Sequence, residues 1–202
     1  MIYWGIKSKS FFLVQSFYKK GEGVPMFSIG QKVVYPGHGV AEISRVVSRV
    51  LGGATTDFFE LKFLSKDMTI LVPMRNAMAV GVRPLSSLSG IEDILAMLQQ
   101  ADESAYNDAT IVNWNKRNKE YQGKIRTGDL REICEIYRDL KYIENFKELS
   151  FGEKNLLSQA EALLVEEIAL VNNIQEENAI EKVRSCASIL KKLTLKEVFR
   201  NP

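Results

Sequence analysis

Cysteine and histidine are almost missing from this 202-residue sequence, which holds two of the former and one of the latter. Cys134 and Cys186 stand 52 residues apart with no second thiol or histidine near either, so neither a zinc-ligand spacing nor a disulfide framework can be drawn through them. Reduced, buried thiols in a cytoplasmic protein are the expectation. With His38 as the one imidazole, most metal sites and the usual Ser/His and Cys/His nucleophile devices are hard to build. No phosphate-cradling glycine loop is present either, and carboxylates such as Glu166 and Glu167 read as an ordinary solvated helix face. The chain is therefore expected to be no enzyme and to hold no metal or cofactor.

Long apolar runs are also lacking. Nothing approaches the roughly 18 residues that a bilayer span needs. Residues 1–25 look superficially like a signal peptide, but Lys7 and Lys9 interrupt the run, only Phe11 to Val14 is continuous, and no Ala-x-Ala site follows. That stretch is expected to be a variable extension or an over-long start, and a cytoplasmic location follows. It carries no interpretable motif.

What is present is an ordinary soluble composition, 46% apolar and 26% charged, in a length that suits one large domain or two small ones. Twenty-seven basic residues against 25 acidic give a net charge of only +2, too little on its face to advertise a nucleic-acid binder. The distribution says more. Residues 1–25 and 26–88 each carry net +3, whereas residues 89–202 carry net −4. Inside that acidic part, residues 109–131 hold six basic side chains against Glu120 and Asp129 alone.

From Phe27 to about Leu85 the apolar pattern has a period of two, broken by turn residues. Strands are predicted over Ile29–Tyr35, Val40–Val50, Asp57–Leu64 (with Phe59, Leu61 and Phe63 on one face) and Met68–Val72. Pro36-Gly37-His38-Gly39 and Leu51-Gly52-Gly53-Ala54 supply turns. So few short strands suit a small Tudor-like or SH3-like β-barrel. After Leu85 the period becomes helical and stays so. Ser89 to Glu92, Asp129 to Glu132 and Ser150 to Glu153 each read as a capping box. The second opens a stripe of Leu130, Ile133, Ile136, Tyr137, Leu140 and Ile143. The third opens one of Leu156, Leu157, Ala160, Leu163, Leu164 and Ile168, and Ile180, Val183, Ala187, Leu190 and Leu193 mark a last helix. The expected class is α+β: an uninterpreted extension over 1–25, a β domain over 26–86 and an all-helical domain over 87–202.

The segment Asn113-Trp114-Asn115-Lys116-Arg117-Asn118-Lys119-Glu120-Tyr121 sets a tryptophan at the head of an otherwise polar and basic helix. Trp114 fits a core anchor near a helix end. The sharper alternative is an exposed wedge, whose ring inserts beside a base step while neighbouring cations hold the phosphates. The apolar stripe that an interfacial helix would need is missing, so nucleic acid is favoured over a membrane.

The run Met26-Phe27-Ser28-Ile29-Gly30-Gln31-Lys32-Val33-Val34-Tyr35-Pro36-Gly37-His38-Gly39-Val40 closely resembles the opening of the CarD/CdnL family of bacterial RNA-polymerase-binding transcription regulators. The resemblance continues through Ile70-Leu71-Val72-Pro73, Asn76-Ala77, Gly81-Val82-Arg83, Asn113-Trp114, Gly128-Asp129-Leu130, Tyr137-Arg138-Asp139-Leu140 and Leu149-Ser150-Phe151-Gly152-Glu153-Lys154. It spans roughly residues 26–170. It implies a Tudor-like domain that binds the RNA polymerase β subunit, also found in the transcription-repair coupling factor, and a helical domain that meets promoter DNA at the upstream edge of the bubble. There Trp114 would wedge into the minor groove and slow bubble collapse, stabilising the open complex. Lys116, Arg117 and Lys119, with Lys124 and Arg126 on the same basic segment, would hold the backbone. On the polymerase side a family arginine matches Arg49. Leu71 stands where some members have a second arginine, so the contact must differ in detail.

The fourth strand is expected to offer its edge to the polymerase, through Met68, Thr69, Ile70, Leu71, Val72 and Pro73, because strand addition needs only unpaired backbone groups. Pro36, Gly37 and Gly39 are expected to serve turn geometry, His38 to be a loop residue without chemistry, and Val34, Phe59 and Phe63 to lie in the core. A monomer with no membrane partner is expected. The chief rival is a protein-interaction module that joins RNA polymerase or another partner to a second protein without touching DNA. A methyl-lysine reader is less well supported, since only Tyr35, Phe58 and Phe59 could line an aromatic cage.

Overall fold

The structure, a computed structural model, describes residues 27–100 and 114–198, with side chains as far as Ser188. The expectations for residues 1–25 and for the Leu190 and Leu193 side chains lie outside these. Five strands, β1 (Lys32–Tyr35), β2 (Gly39–Leu51), β3 (Ala54–Phe63), β4 (Thr69–Pro73) and β5 (Arg83–Pro84), form one antiparallel sheet in the order β4-β3-β2-β1-β5. Among the described residues five helices follow: α1 (Leu88–Met97), α2 (Trp114–Thr127), α3 (Leu130–Glu144), α4 (Phe151–Asn172) and α5 (Glu176–Val198). This is the α+β arrangement expected, a Tudor-like β domain ahead of helices.

Departures in the strands have local causes. β1 starts at Lys32 rather than Ile29, because Gly30 has φ +82° and the Gln31 N–H closes a turn onto the Ser28 carbonyl at 3.1 Å. The β2–β3 hairpin is tighter than expected: Gly52 and Gly53 both take positive φ, as a two-residue primed turn requires, so pairing runs on to Leu51 opposite Ala54. Ser44 forms a bulge in β2, where its hydroxyl donates to Glu60 Oε1 at 2.8 Å. The inner face buries Val33, Ile43, Phe59, Leu61, Phe63 and Val72. Val34 is buried as expected, though on the opposite face from that cluster.

Only one of the three capping boxes is complete. At α4, Ser150 Oγ accepts the Glu153 N–H while the Glu153 carboxylate accepts the Ser150 N–H. At α3, Asp129 caps by accepting the Arg131 N–H, but Glu132 turns instead to the Thr127 hydroxyl at 2.6 Å. At α1 the cap lies two residues earlier than Ser89: Ser87 Oγ accepts the Gly90 N–H, a glycine sits where the reciprocal Glu would stand, and no box closes. The α3 stripe is wholly buried, as is the α4 stripe apart from the partly buried Leu157. Tyr137 is fully buried, and its hydroxyl donates to Glu161, which Arg184 also grips through two bonds of 2.8 Å. Cys134 is buried against the Ile94 carbonyl, and burial pushes its thiol up to about 12; Cys186 is only half-buried.

The two regions touch, and the contact corrects one expectation. Glu166 and Glu167 are not solvated. Glu167 is 2% exposed and accepts two bonds of 2.8 Å from the Arg83 guanidinium, with further bonds from the Ser86 N–H and hydroxyl. Glu166 Oε2 accepts the Val40 N–H at 3.0 Å, while Oε1 is buried without a partner. Burial outweighs the Val40 bond and raises the Glu166 carboxyl above the ordinary range. A periodicity reading misses this because the partners are more than 80 residues away in sequence. The Pro36–Gly39 turn thus does more than reverse the chain: a Cβ on Gly39 would fall 2.1 Å from Glu166 Oε2, so only glycine admits that carboxylate. His38 remains an exposed loop residue beside Tyr35 and Phe63.

Candidate nucleic-acid interface

The basic helix mixes good helix formers (Lys, Arg, Glu, Gln) with weak ones such as Asn115, Asn118 and Gly123, and it is held by one buried stripe. Arg117, Tyr121 and Ile125 are its buried residues, spaced four apart, and Trp114, three before Arg117, extends the same line. At 100° per residue, Lys116, Lys119 and Arg126 fall together on the opposite side, and all three are exposed. None of them makes an ion pair among the described residues. Among the described residues of this helix, these three are the cations turned outward, where a phosphate backbone could be met.

Arg117 is not among them. It is 5% exposed, and its Nη2 donates to Glu153 Oε1 at 2.5 Å, so the expectation that it holds DNA backbone is corrected: its position on the inward stripe, not its charge, decides where it points. Nε and Nη1 are buried without hydrogen-bond partners. Lys124 is also largely spoken for, half-buried and paired with Glu135 at 3.1 Å and Glu120 at 3.8 Å. Burial lowers its ammonium's affinity for the proton, but Glu135 outweighs this and the net shift is upward.

Trp114 answers to both readings offered by the sequence. It is half-buried and packs partly on the helical core. Its ring lies on the N-terminus of α4, where a Cβ on Gly152 would come within 2.9 Å of Cζ2, and the Arg117 guanidinium stands 5.4 Å from the ring centroid. Glycine at 152 and arginine at 117 therefore fix the ring's seat. Glu153 ties this corner together by capping α4, pairing with Arg117 and accepting from Lys147 at 3.3 Å. Burial pushes the Glu153 carboxyl up, but the Ser150 N–H and hydroxyl and the Lys147 ammonium prevail and hold it below the usual carboxylate range. Glu153 and Gly152 escaped the sequence reading as site residues. The signal available was a glycine one position before the acid of a capping box.

On the β domain, β4 is an edge strand paired, among the described residues, to β3 alone. Alternation divides its residues: Met68, Ile70 and Val72 pack on the inner core, so a partner strand would meet their backbone, the groups that strand addition uses. Thr69, Leu71 and Pro73 take the outer face. The register aligns Arg45, Glu60 and Leu71 across three strands, with Val47, Phe58 and Pro73 beside them. Arg49 is exposed two pairs further along, opposite Thr56. Arg49 and the outer side of β4 thus share one face. Phe58 lies on that outer face and Phe59 in the inner core, so no aromatic cage forms around Tyr35. Among the described residues no group of acidic, Cys or His side chains could hold a metal, and no helix is long and apolar enough to cross a membrane.

Two family models match, in the order of the two regions. Residues 27–86 match the CarD-like/TRCF RID domain and residues 93–184 match the CarD C-terminal domain. A curated relative from Bacillus subtilis (strain 168), named "Putative transcription factor YdeB", is 26% identical over 151 residues, which are 75% of this chain and 95% of the relative.

Proposed function

Because the chain belongs to the CarD family of transcription factors, we propose that it docks on the RNA polymerase β subunit through the β4 edge and Arg49. From there it steadies the melted promoter with Trp114 at the upstream end of the bubble. The observation that supports this most is the build of α2: a half-open tryptophan seated at its head, with Lys116, Lys119 and Arg126 exposed along one side. Three cations give weak, sequence-independent attraction to DNA, too little to find promoters against a genome of competing sites. A protein tether raises the local concentration of that helix at one place, so modest DNA affinity suffices. The small net charge suits such a division of labour.

The direct experiment is the lifetime of open complexes on a promoter with and without the purified chain. A longer lifetime is expected; an unchanged one refutes the reading. The DNA contact carries its own signature. With three phosphate contacts the slope of log affinity against log salt should be about −2.7, a loss of about 40-fold between 50 and 200 mM salt. Counting every basic residue from Lys116 to Arg126 would instead give a much steeper slope, so a titration separates the two. Salt-insensitive binding, or none to duplex DNA, would favour the interaction-module alternative. For the protein contact, Arg49→Glu is expected to abolish pull-down of core RNA polymerase while leaving the fold intact. Retention at wild-type level would place the docking face elsewhere.

A further inference from the structure

The contact between the β domain and the helices is built like a joint with a fixed angle. Arg83 of β5 uses three nitrogens on two separate helical elements: Nη1 and Nη2 on the Glu167 carboxylate of α4, and Nε on the Gly128 carbonyl at the end of α2, each at 2.8 Å. The Glu167 carboxylate is almost fully buried and has its remaining capacity filled by the Ser86 N–H and hydroxyl, so the pair is satisfied on every side. Beside it, Glu166 takes the Val40 N–H. Pro36 closes the other flank, its Cα 3.1 Å from where a Cβ on Gly128 would lie.

The last turn of α2 is therefore bound to the sheet, while its first turn carries Trp114. A helix of 14 residues is about 21 Å long, so a tilt of about 10° at its base would move the tip by about 4 Å. Sites that must fit a partner tolerate far less than that. We propose that Arg83 is a positioning residue: by holding α4 and the end of α2 at once, it fixes the tryptophan helix relative to the β4 face, so that polymerase and DNA are engaged together. This rests on the polymerase-and-DNA reading above and adds to it that the two contacts are coupled through one side chain. A lysine in its place keeps the charge but cannot reach a carboxylate bidentately and a carbonyl at the same time.

The test compares the full-length wild-type chain with Arg83→Lys. Spin labels at Thr55→Cys and Gly123→Cys, in a Cys186→Ser background with Cys134 buried, report the distance between the two regions. The variant should broaden that distribution. Its separate affinities for core polymerase and for duplex DNA should stay within twofold of wild type, while the gain in open-complex lifetime falls at least fivefold. An exchanged pair, Arg83→Glu with Glu167→Arg, should stay broad and short-lived, because a carboxylate at 83 cannot donate to the Gly128 carbonyl; full recovery by the exchanged pair would refute the grip on two elements at once. If Arg83→Lys matches wild type in distance distribution and lifetime, the coupling is refuted alone. A loss of either separate affinity also refutes it, because that marks a merely structural role. A wild-type chain that leaves the lifetime unchanged refutes the proposed function and the coupling with it, and the distance measurement tells that case apart by still reporting whether the joint is rigid.

Discussion

Glu153→Ala is expected to destabilise the helical domain by about 3–5 kcal/mol, the range for stripping one partner from a buried ion pair. The size follows from what is left behind. Arg117 is 5% exposed and already has two nitrogens without partners, so losing Glu153 leaves a whole guanidinium charge inside the protein. The same change opens the capping box of α4. Urea unfolding followed by circular dichroism measures the loss, and a cost below about 1 kcal/mol would show that the pair is of surface strength. Removing the second charge as well, with Arg117→Met and Glu153→Gln, should recover most of the stability, since apolar replacement of a buried pair is often neutral or better. The pH dependence has a definite sign. The Glu153 carboxyl is held below its ordinary range in the folded chain, so its contribution is present above the unfolded value and is lost as pH falls through the lower folded one. Glu153→Gln should lack that acid limb.

Trp114→Ala is the second large expectation. If the ring favours a distorted, partly unstacked groove over intact duplex, its removal should shorten the open-complex lifetime by about tenfold, the equivalent of about 1.4 kcal/mol of differential affinity. Polymerase binding, which the proposed function assigns to the β domain, should stay within about twofold. Because Trp114 also packs on the helical core, a fall in stability accompanies the change, and Trp114→Phe controls for it by keeping most of that packing. Gly152→Ala approaches the same ring from below: the added methyl would stand 2.9 Å from Cζ2 and must displace it, so an intermediate lifetime is expected. A lifetime unchanged by Trp114→Ala ends the wedge role.

The parts of the fold that were legible in the sequence are those that repeat locally. Phe59, Leu61 and Phe63 alternate, and Leu130 through Ile143 recur at three and four, so their faces followed without tertiary knowledge. The α1 cap is not legible locally, because Ser86, Ser87 and Ser89 all suit it and only the path of the backbone selects Ser87. Residue type alone groups Arg117 with the phosphate-binding cations, whereas its position, three after Trp114 and four before Tyr121, puts it on the buried line. Glu166 and Glu167 were illegible for a different reason. Their partners, Val40 and Arg83, lie on strands of another domain, and no local pattern encodes a contact across that distance.

The free side of β4 is short. It runs from Thr69 to Pro73, with Lys66 and Asp67 just before it and a proline, which has no N–H to give, at its end. Blunting of this kind discourages two copies of the chain from zipping together into fibres. It also limits any visiting strand to a few backbone bonds, each adding about 0.5–1.5 kcal/mol net. Such a seat exchanges its occupant quickly, and residence there is governed by whatever second grip holds the visitor nearby.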